Sequence, residues 1–166
     1  MSLGTFVAGR YSSTYAAASL GITTRGYELD VQFKQEVIDE SDLYGLSLID
    51  LCLRGADVHL SMLCKEWIAG TKALLWAIGG GSFGKIFTAA VPCGVFAYDL
   101  SAALVLTATA NTPAAASPAT LTASKAFPAA NFNPKVLFDS RLRELPLRVV
   151  LFPYASSTDT IAFSTT

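Results

Sequence analysis

The chain has 166 residues, of which 52% are hydrophobic and 15% charged, whereas about 25% charged residues is usual for a globular domain. This hydrophobic content excludes an intrinsically disordered chain, and the formal net charge of −1 argues against a protein that coats nucleic acid, where a basic excess is expected. Subunit interfaces are poor in charge, so the composition predicts a protein that works in an assembly instead of as a free monomer.

The length fits one domain over residues 1–166, which is long enough to form a hydrophobic core without disulfides or metals. The three cysteines, Cys52, Cys64 and Cys93, lack the spacing of a zinc site and are interpreted as small buried hydrophobes. The start of the chain lacks the basic and apolar pattern of a signal peptide. The two charge-free stretches between residues 86 and 124 are broken by Pro and Gly or consist mostly of small residues, so we expect no transmembrane segment.

The first third of the chain is predicted to form β-strands. Glycines recur at short intervals in residues 1–30, as in extended segments joined by tight turns. Residues 27–34 alternate apolar and polar side chains without exception, which predicts a half-buried strand. Two further strands are expected at residues 46–53 and 56–64, with a turn at Gly55 between them.

One amphipathic helix is predicted at about residues 65–78. Apolar-face positions recur there at helical spacing, and they are Trp67, Ile68, Thr71, Leu74, Leu75 and Ile78. Three glycines, residues 79–81, follow as expected at a helix C-terminus.

The second half of the chain returns to β patterns. Short strands are expected at residues 83–90, 94–98, 100–110, 136–140, 147–153 and 160–164, with an Ala- and Pro-rich loop at residues 111–119. Many short strands around one helix predict a mainly β fold, a β-sandwich or β-barrel with one flanking α-helix at about residues 65–78.

The sequence shows no constellation of catalytic or metal-binding residues. Asp57, His59 and Ser61 share one face of a strand, but alternate strand residues lie about 7 Å apart, which is too far for the hydrogen bonds of a catalytic triad. Residues 79–85 lack the Ser or Thr of a phosphate-binding loop, and residues 36–42 lack the ligand spacing of a calcium loop. We therefore expect no enzyme activity, no cofactor and no metal; the alternative of a small enzyme or ligand-binding β-domain would depend on His59.

Residues 36–66 resemble the first half of tail tube proteins of long-tailed bacteriophages. An acidic stretch leads to Tyr44 and Gly45, then to a short apolar strand that carries Asp50. A glycine turn and an alternating strand follow, and the strand ends near Glu66, where the helix begins. The segments 20–23 and 151–154 fit the same layout.

The resemblance implies a virion structural protein. Six copies would close into a ring by joining their sheets, and rings would stack head to tail into a tail tube for DNA passage. DNA would pass without sequence-specific binding, because a near-neutral or acidic lumen does not grip phosphates. The protein would be assembled in the host cytoplasm, be located in the phage tail, and have itself and other virion proteins as partners, with no membrane. Head–tail connector, tail terminator and capsid decoration proteins share the layout and remain alternatives.

The hairpin around residues 30–53 is the expected contact with a neighbouring ring, with an ordinary solvated hairpin as the alternative. Arginines near the C-terminus are a second expected interface feature, because Arg is enriched in interfaces. The predicted inter-subunit contact residues are Asp39, Glu40, Asp42, Arg54, Arg141 and Arg143.

Overall fold

The computed structural model describes residues 11–38, 50–77, 84–85, 94–109, 120–130, 144–155 and 159–165. These residues form ten strands and two short helices. In chain order they are β1 (Tyr11–Tyr15), β2 (Ala18–Ser19), β3 (Thr23–Ile38), β4 (Asp50–Cys64), α1 (Ala69–Leu75), α2 (Ala97–Leu100), β5 (Ala102–Ala108), β6 (Thr120–Pro128), β7 (Leu145–Leu151), β8 (Tyr154–Ala155), β9 (Thr160–Ile161) and β10 (Ser164–Thr165).

One antiparallel sheet dominates the fold. Its strand order is β2-β1-β5-β6-β7-β4-β3, and β10 adds to β6, while β8 and β9 form a separate two-stranded sheet. The sheet curls until β3 meets β1 through side chains, since the Tyr27 hydroxyl donates a hydrogen bond of 2.7 Å to the Ser13 hydroxyl. The mainly β fold with a flanking helix is confirmed, and the sheet is not closed into a barrel.

The core lies on the inner face of the curled sheet. Every second residue of β4 from Val58 to Cys64 is buried, and so is every second residue of β7. This alternation follows from the two-residue period of a strand with one covered face. Tyr15, Leu20 and Leu74 pack into the same cluster, so β1, the β2 turn and α1 complete the core.

Helix α1 confirms the predicted helix but is shorter at its start. Ahead of it, the Ile68 N–H donates a hydrogen bond to the Thr71 hydroxyl at 3.0 Å, which is capping geometry. Gly70 lies so close to β2 that an added Cβ would be 2.1 Å from the Ser19 carbonyl oxygen. These two contacts fix where the helix begins, and its predicted glycine stop lies outside the described residues.

Two predictions about strands are wrong, and one strand was missed. Gly55 is not a turn, because β4 runs through it. The chain forms a β-bulge there instead, with Arg54 as the extra residue between the pairs Lys34–Gly55 and Gln35–Leu53. Gly55 has a φ of +137°, which few other residues adopt. Residues 97–100 form helix α2 instead of a strand. Strand β6 was not predicted. Of the strand expected at 83–90 only residues 84 and 85 are described, and neither lies in a strand. The segments expected at 111–119 and 136–140 lie outside the described residues.

The hairpin of β3 and β4 extends past the rest of the sheet. Strand β4 pairs with β7 only over residues 58–64, whereas it pairs with β3 along its whole length. We call the part in which the two strands pair only with each other, residues 32–38 and 50–57, the arm.

Candidate functional site

One face of the β3–β4 hairpin is apolar and exposed to solvent, along the arm and into the part that pairs with β7. Residues directly opposite each other in an antiparallel pair share a face, so Phe33, Val37 and the cross-strand residues Leu51 and Leu53 lie on one side. We call six side chains on this face the apolar stripe, and their exposed fractions are Leu29 39%, Val31 37%, Phe33 68%, Val37 52%, Leu51 39% and Leu53 71%. The stripe continues the core face of the sheet beyond the point where the body covers it.

The other face of the hairpin is charged. Three ion pairs between described residues lie on it: Arg148 with Asp30 at 3.1 Å, Lys34 with Asp57 at 2.9 Å, and Arg54 with Glu36. Each side chain is more than a third exposed, and such pairs contribute about 0–1 kcal/mol to stability. Their effect is to keep this face hydrated and to leave each of these basic groups beside a carboxylate.

The predicted hairpin around residues 30–53 is present, and one of the six predicted contact residues is described. Arg54 lies at the bulge of β4, on the charged face, with Glu36 as its partner. The other five predicted residues, Asp39, Glu40, Asp42, Arg141 and Arg143, lie outside the described part of the chain and stay predictions.

The structure also shows a surface that sequence reasoning missed. Alternation at residues 27–34 indicated a strand with one buried face, yet beyond Val31 that face has no cover from the described residues. The exposure of this face follows from the pairing of β4 with β7, which stops at Val58. The sequence pattern of β4 does not show where that pairing stops.

The described contacts of Asp57 and His59 on β4 are not those of a catalytic triad. Asp57 is held by Lys34 instead of by His59, and the Nδ1 atom of His59 has no hydrogen-bond partner. Among the described residues no group of His, Cys, Asp and Glu side chains is arranged to hold a metal ion. Neither described helix has the length and apolar content needed to cross a bilayer.

No protein-family model matches the sequence, and no curated protein matches it. Among solved structures, the chain is similar to one described as "Cryo-EM Structure of an Extracellular Contractile Injection System, PVC sheath/tube terminator in extended state". The TM-score is 0.47 with 11% sequence identity, and the match covers 85% of this chain and 88% of that chain. A likeness at this level assigns no function.

Proposed function

We propose that this protein is a structural subunit of a phage-type tail particle and that it assembles with copies of itself through the apolar stripe. The observation that carries the proposal is the exposure of six large apolar side chains on one face of a projecting hairpin. Contiguous apolar patches of this kind on a folded domain mark interaction surfaces. The low charge content of the whole chain, 15%, supports the same conclusion.

The stripe can supply a useful amount of binding free energy. If a side chain of this size covers about 100 Å², the exposed fractions of the six leave on the order of 300 Å² in water. At about 25 cal/mol per Å² this corresponds to on the order of 7 kcal/mol when a partner covers it. Association itself costs roughly 4–15 kcal/mol, so one arm contact gives a weak pair. Several such contacts in one closed assembly give a stable particle.

The finer form of the proposal is a ring, of six copies by resemblance to tail tube proteins, that stacks into a tube for DNA passage. Contacts between unlike surfaces close into rings or extend into stacks. Joining sheets around a ring would also cover the outer edge of β3, which no described strand pairs. Six copies at −1 each would carry about −6, and a negative lumen would not hold DNA phosphates.

We propose a structural and not a catalytic role. The chain has a single histidine, and on β4 it lies between Asp57 and Ser61 at strand spacing, with Asp57 engaged by Lys34. A general base needs a partner within hydrogen-bond reach. Other virion proteins are the proposed further partners, and the tail particle is the proposed location.

The test is negative-stain electron microscopy with mass measurement over a concentration series. We expect rings or hollow filaments for the wild type, loss of assembly for Phe33→Asp, and wild-type assembly for the matched control Gln32→Asp on the charged face of the same strand. Rings without filaments would favour the terminator or connector alternative. A wild type that stays monomeric at millimolar concentration, or a Phe33→Asp variant that assembles normally, would refute the proposal.

A further inference from the structure

A cavity of about 400 Å³ lies on the charged face of the hairpin, at the end away from the arm. It is formed where the start of β3, the end of β4 and the start of β7 meet. Its lining includes Thr24, Arg25, Glu28, Leu63, Pro146 and Arg148. Sites for small molecules commonly have volumes of about 300–1,000 Å³, so the cavity has the size of a small ligand site.

A bulge in β3 places an arginine at this cavity. Two residues of β3, Arg25 and Gly26, are extra between the pairs Thr24–Leu63 and Tyr27–Met62. Arg25 has a φ of +64°, which a residue other than glycine rarely adopts and which tends to occur at functional sites. Bulges redirect side chains. None of the ion pairs between described residues engages Arg25, so its charge is available to a ligand.

Two lining residues carry buried polar atoms that lack a hydrogen-bond partner. These atoms, the Thr24 hydroxyl oxygen and Arg148 Nε, are two of the three such atoms in the described part of the chain. Arg148 donates one hydrogen bond, from Nη2 to Asp30 at 3.1 Å, although a guanidinium has five N–H groups. Buried polar atoms in folded proteins nearly always have a partner. The walls of the cavity therefore hold donors that the described protein does not pair.

The charges around the cavity favour a ligand with one negative charge. Arg25 and Arg148 supply two positive charges, and Glu28 lines the same cavity, while Asp30 pairs with Arg148. These two carboxylates repel a doubly charged phosphate more strongly than a singly charged ligand. The planar fork of a guanidinium also matches the two oxygens of a carboxylate.

We propose that this cavity binds a small organic carboxylate with a short apolar chain. The guanidinium groups of Arg25 and Arg148 hold the carboxylate, which supplies the acceptors that these donors lack once the side chains adjust. Leu63 and Pro146 are directly opposite each other on β4 and β7, and they give the apolar chain a wall to lie against. The inference does not depend on the proposed function, because Glu28 alternates with Leu29 and the cavity is on the face opposite the apolar stripe.

The test is an NMR titration of ¹⁵N-labelled protein with butyrate, at constant ionic strength and below the assembly concentration. We expect saturable shifts of the amide signals of residues 24–28, 61–63, 147 and 148, with a dissociation constant on the order of 1 mM. Butyramide has the same shape without the charge, and it should cause no saturable shift at the same concentrations. Inorganic phosphate should bind more weakly than butyrate.

The variants are Arg25→Gln and Arg148→Gln. Each removes charge-assisted hydrogen bonds to the carboxylate, so each should raise the dissociation constant for butyrate at least about tenfold. The matched control is Arg54→Gln, because Arg54 is an exposed arginine of the same hairpin that pairs with Glu36 and does not line the cavity; it should bind butyrate like the wild type. Arg25→Gln breaks no described ion pair, so it keeps the test valid if Arg148→Gln is unstable.

Four results would overturn the inference. They are equal shifts with butyrate and butyramide, tighter binding of phosphate than of butyrate, unchanged butyrate affinity in Arg25→Gln, and loss of assembly in Arg25→Gln. The last result would mean that the carboxylate belongs to a second copy of the chain and not to a free small molecule. The first three leave the proposed function intact, since they concern the dilute subunit alone.

Discussion

Two leucines on the same face of β4 should separate folding from assembly. Leu60 is 1% exposed and Leu53 is 71% exposed. Leu60 lies between Leu29 of β3 and Val149 of β7, so Leu60→Ala leaves a cavity in the core and should lower the free energy of unfolding by about 3 kcal/mol. Leu53→Ala removes a side chain that water already surrounds, and should change that free energy by less than about 0.5 kcal/mol.

Leu53→Ala, which should hardly change the free energy of unfolding, should have a large effect on assembly. Burying the exposed 71% of Leu53 is worth roughly 1.5–2 kcal/mol, so Leu53→Ala should raise the concentration needed for assembly about 10–30-fold. Urea unfolding of dilute protein, followed by tryptophan fluorescence, measures the first effect, and sedimentation over a concentration series measures the second. If Leu53→Ala lowers the free energy of unfolding as much as Leu60→Ala does, the stripe is covered within the single subunit and the reasoning fails.

Three further predictions concern the body and the ion pairs. Burial raises the pKa of Tyr15 to about 12 and that of Cys64 to about 11. Both groups therefore ionise at lower pH in the unfolded chain than in the folded one, so the free energy of unfolding should fall as pH rises from about 9 to 12. Urea unfolding at a series of pH values should show a shallower fall for Tyr15→Phe. Gly70→Ala gains helix propensity of up to about 1 kcal/mol, but its Cβ meets the Ser19 carbonyl oxygen, so thermal unfolding should show a net loss of about 1–2 kcal/mol; a gain would contradict the packing of α1 on β2. Arg54→Ala should change the free energy of unfolding by less than about 1 kcal/mol, and a larger loss in urea unfolding would show that its pair with Glu36 is not a solvated one.

Strands with one covered face were predictable because burial imposes a two-residue period. Residues 27–34 lie within β3, and of the predicted strand 147–153 residues 147–151 lie within β7. Strand β6 was not recognised because its Ala, Lys and Pro residues have weak strand preference. It is held by pairing with β5 and β7 on its two sides. Gly55 was misread because a glycine marks a turn and a bulge alike.

The hairpin itself was expected as a contact, but the exposure of its apolar face could not be predicted from the sequence. The alternation of Leu29, Val31 and Phe33 is the same whether the body covers that face or leaves it in water. Only the pairing of β4 with β7, which stops at Val58, shows that the strands outrun the core. Low overall charge indicated an assembly, and the register shows which apolar face is left exposed for the proposed contact.

Hydrogen exchange of the arm tests the central claim, assembly through the apolar stripe, most directly. In the dilute subunit the amides of residues 32–38 and 50–57 belong to a two-stranded ribbon that no other described strand joins, so they should exchange fast. Mass spectrometry above the assembly concentration should show these amides strongly protected, with the core of β7 unchanged. Assembly that leaves the arm amides as fast as in the dilute subunit would contradict the claim that the arm holds the particle together.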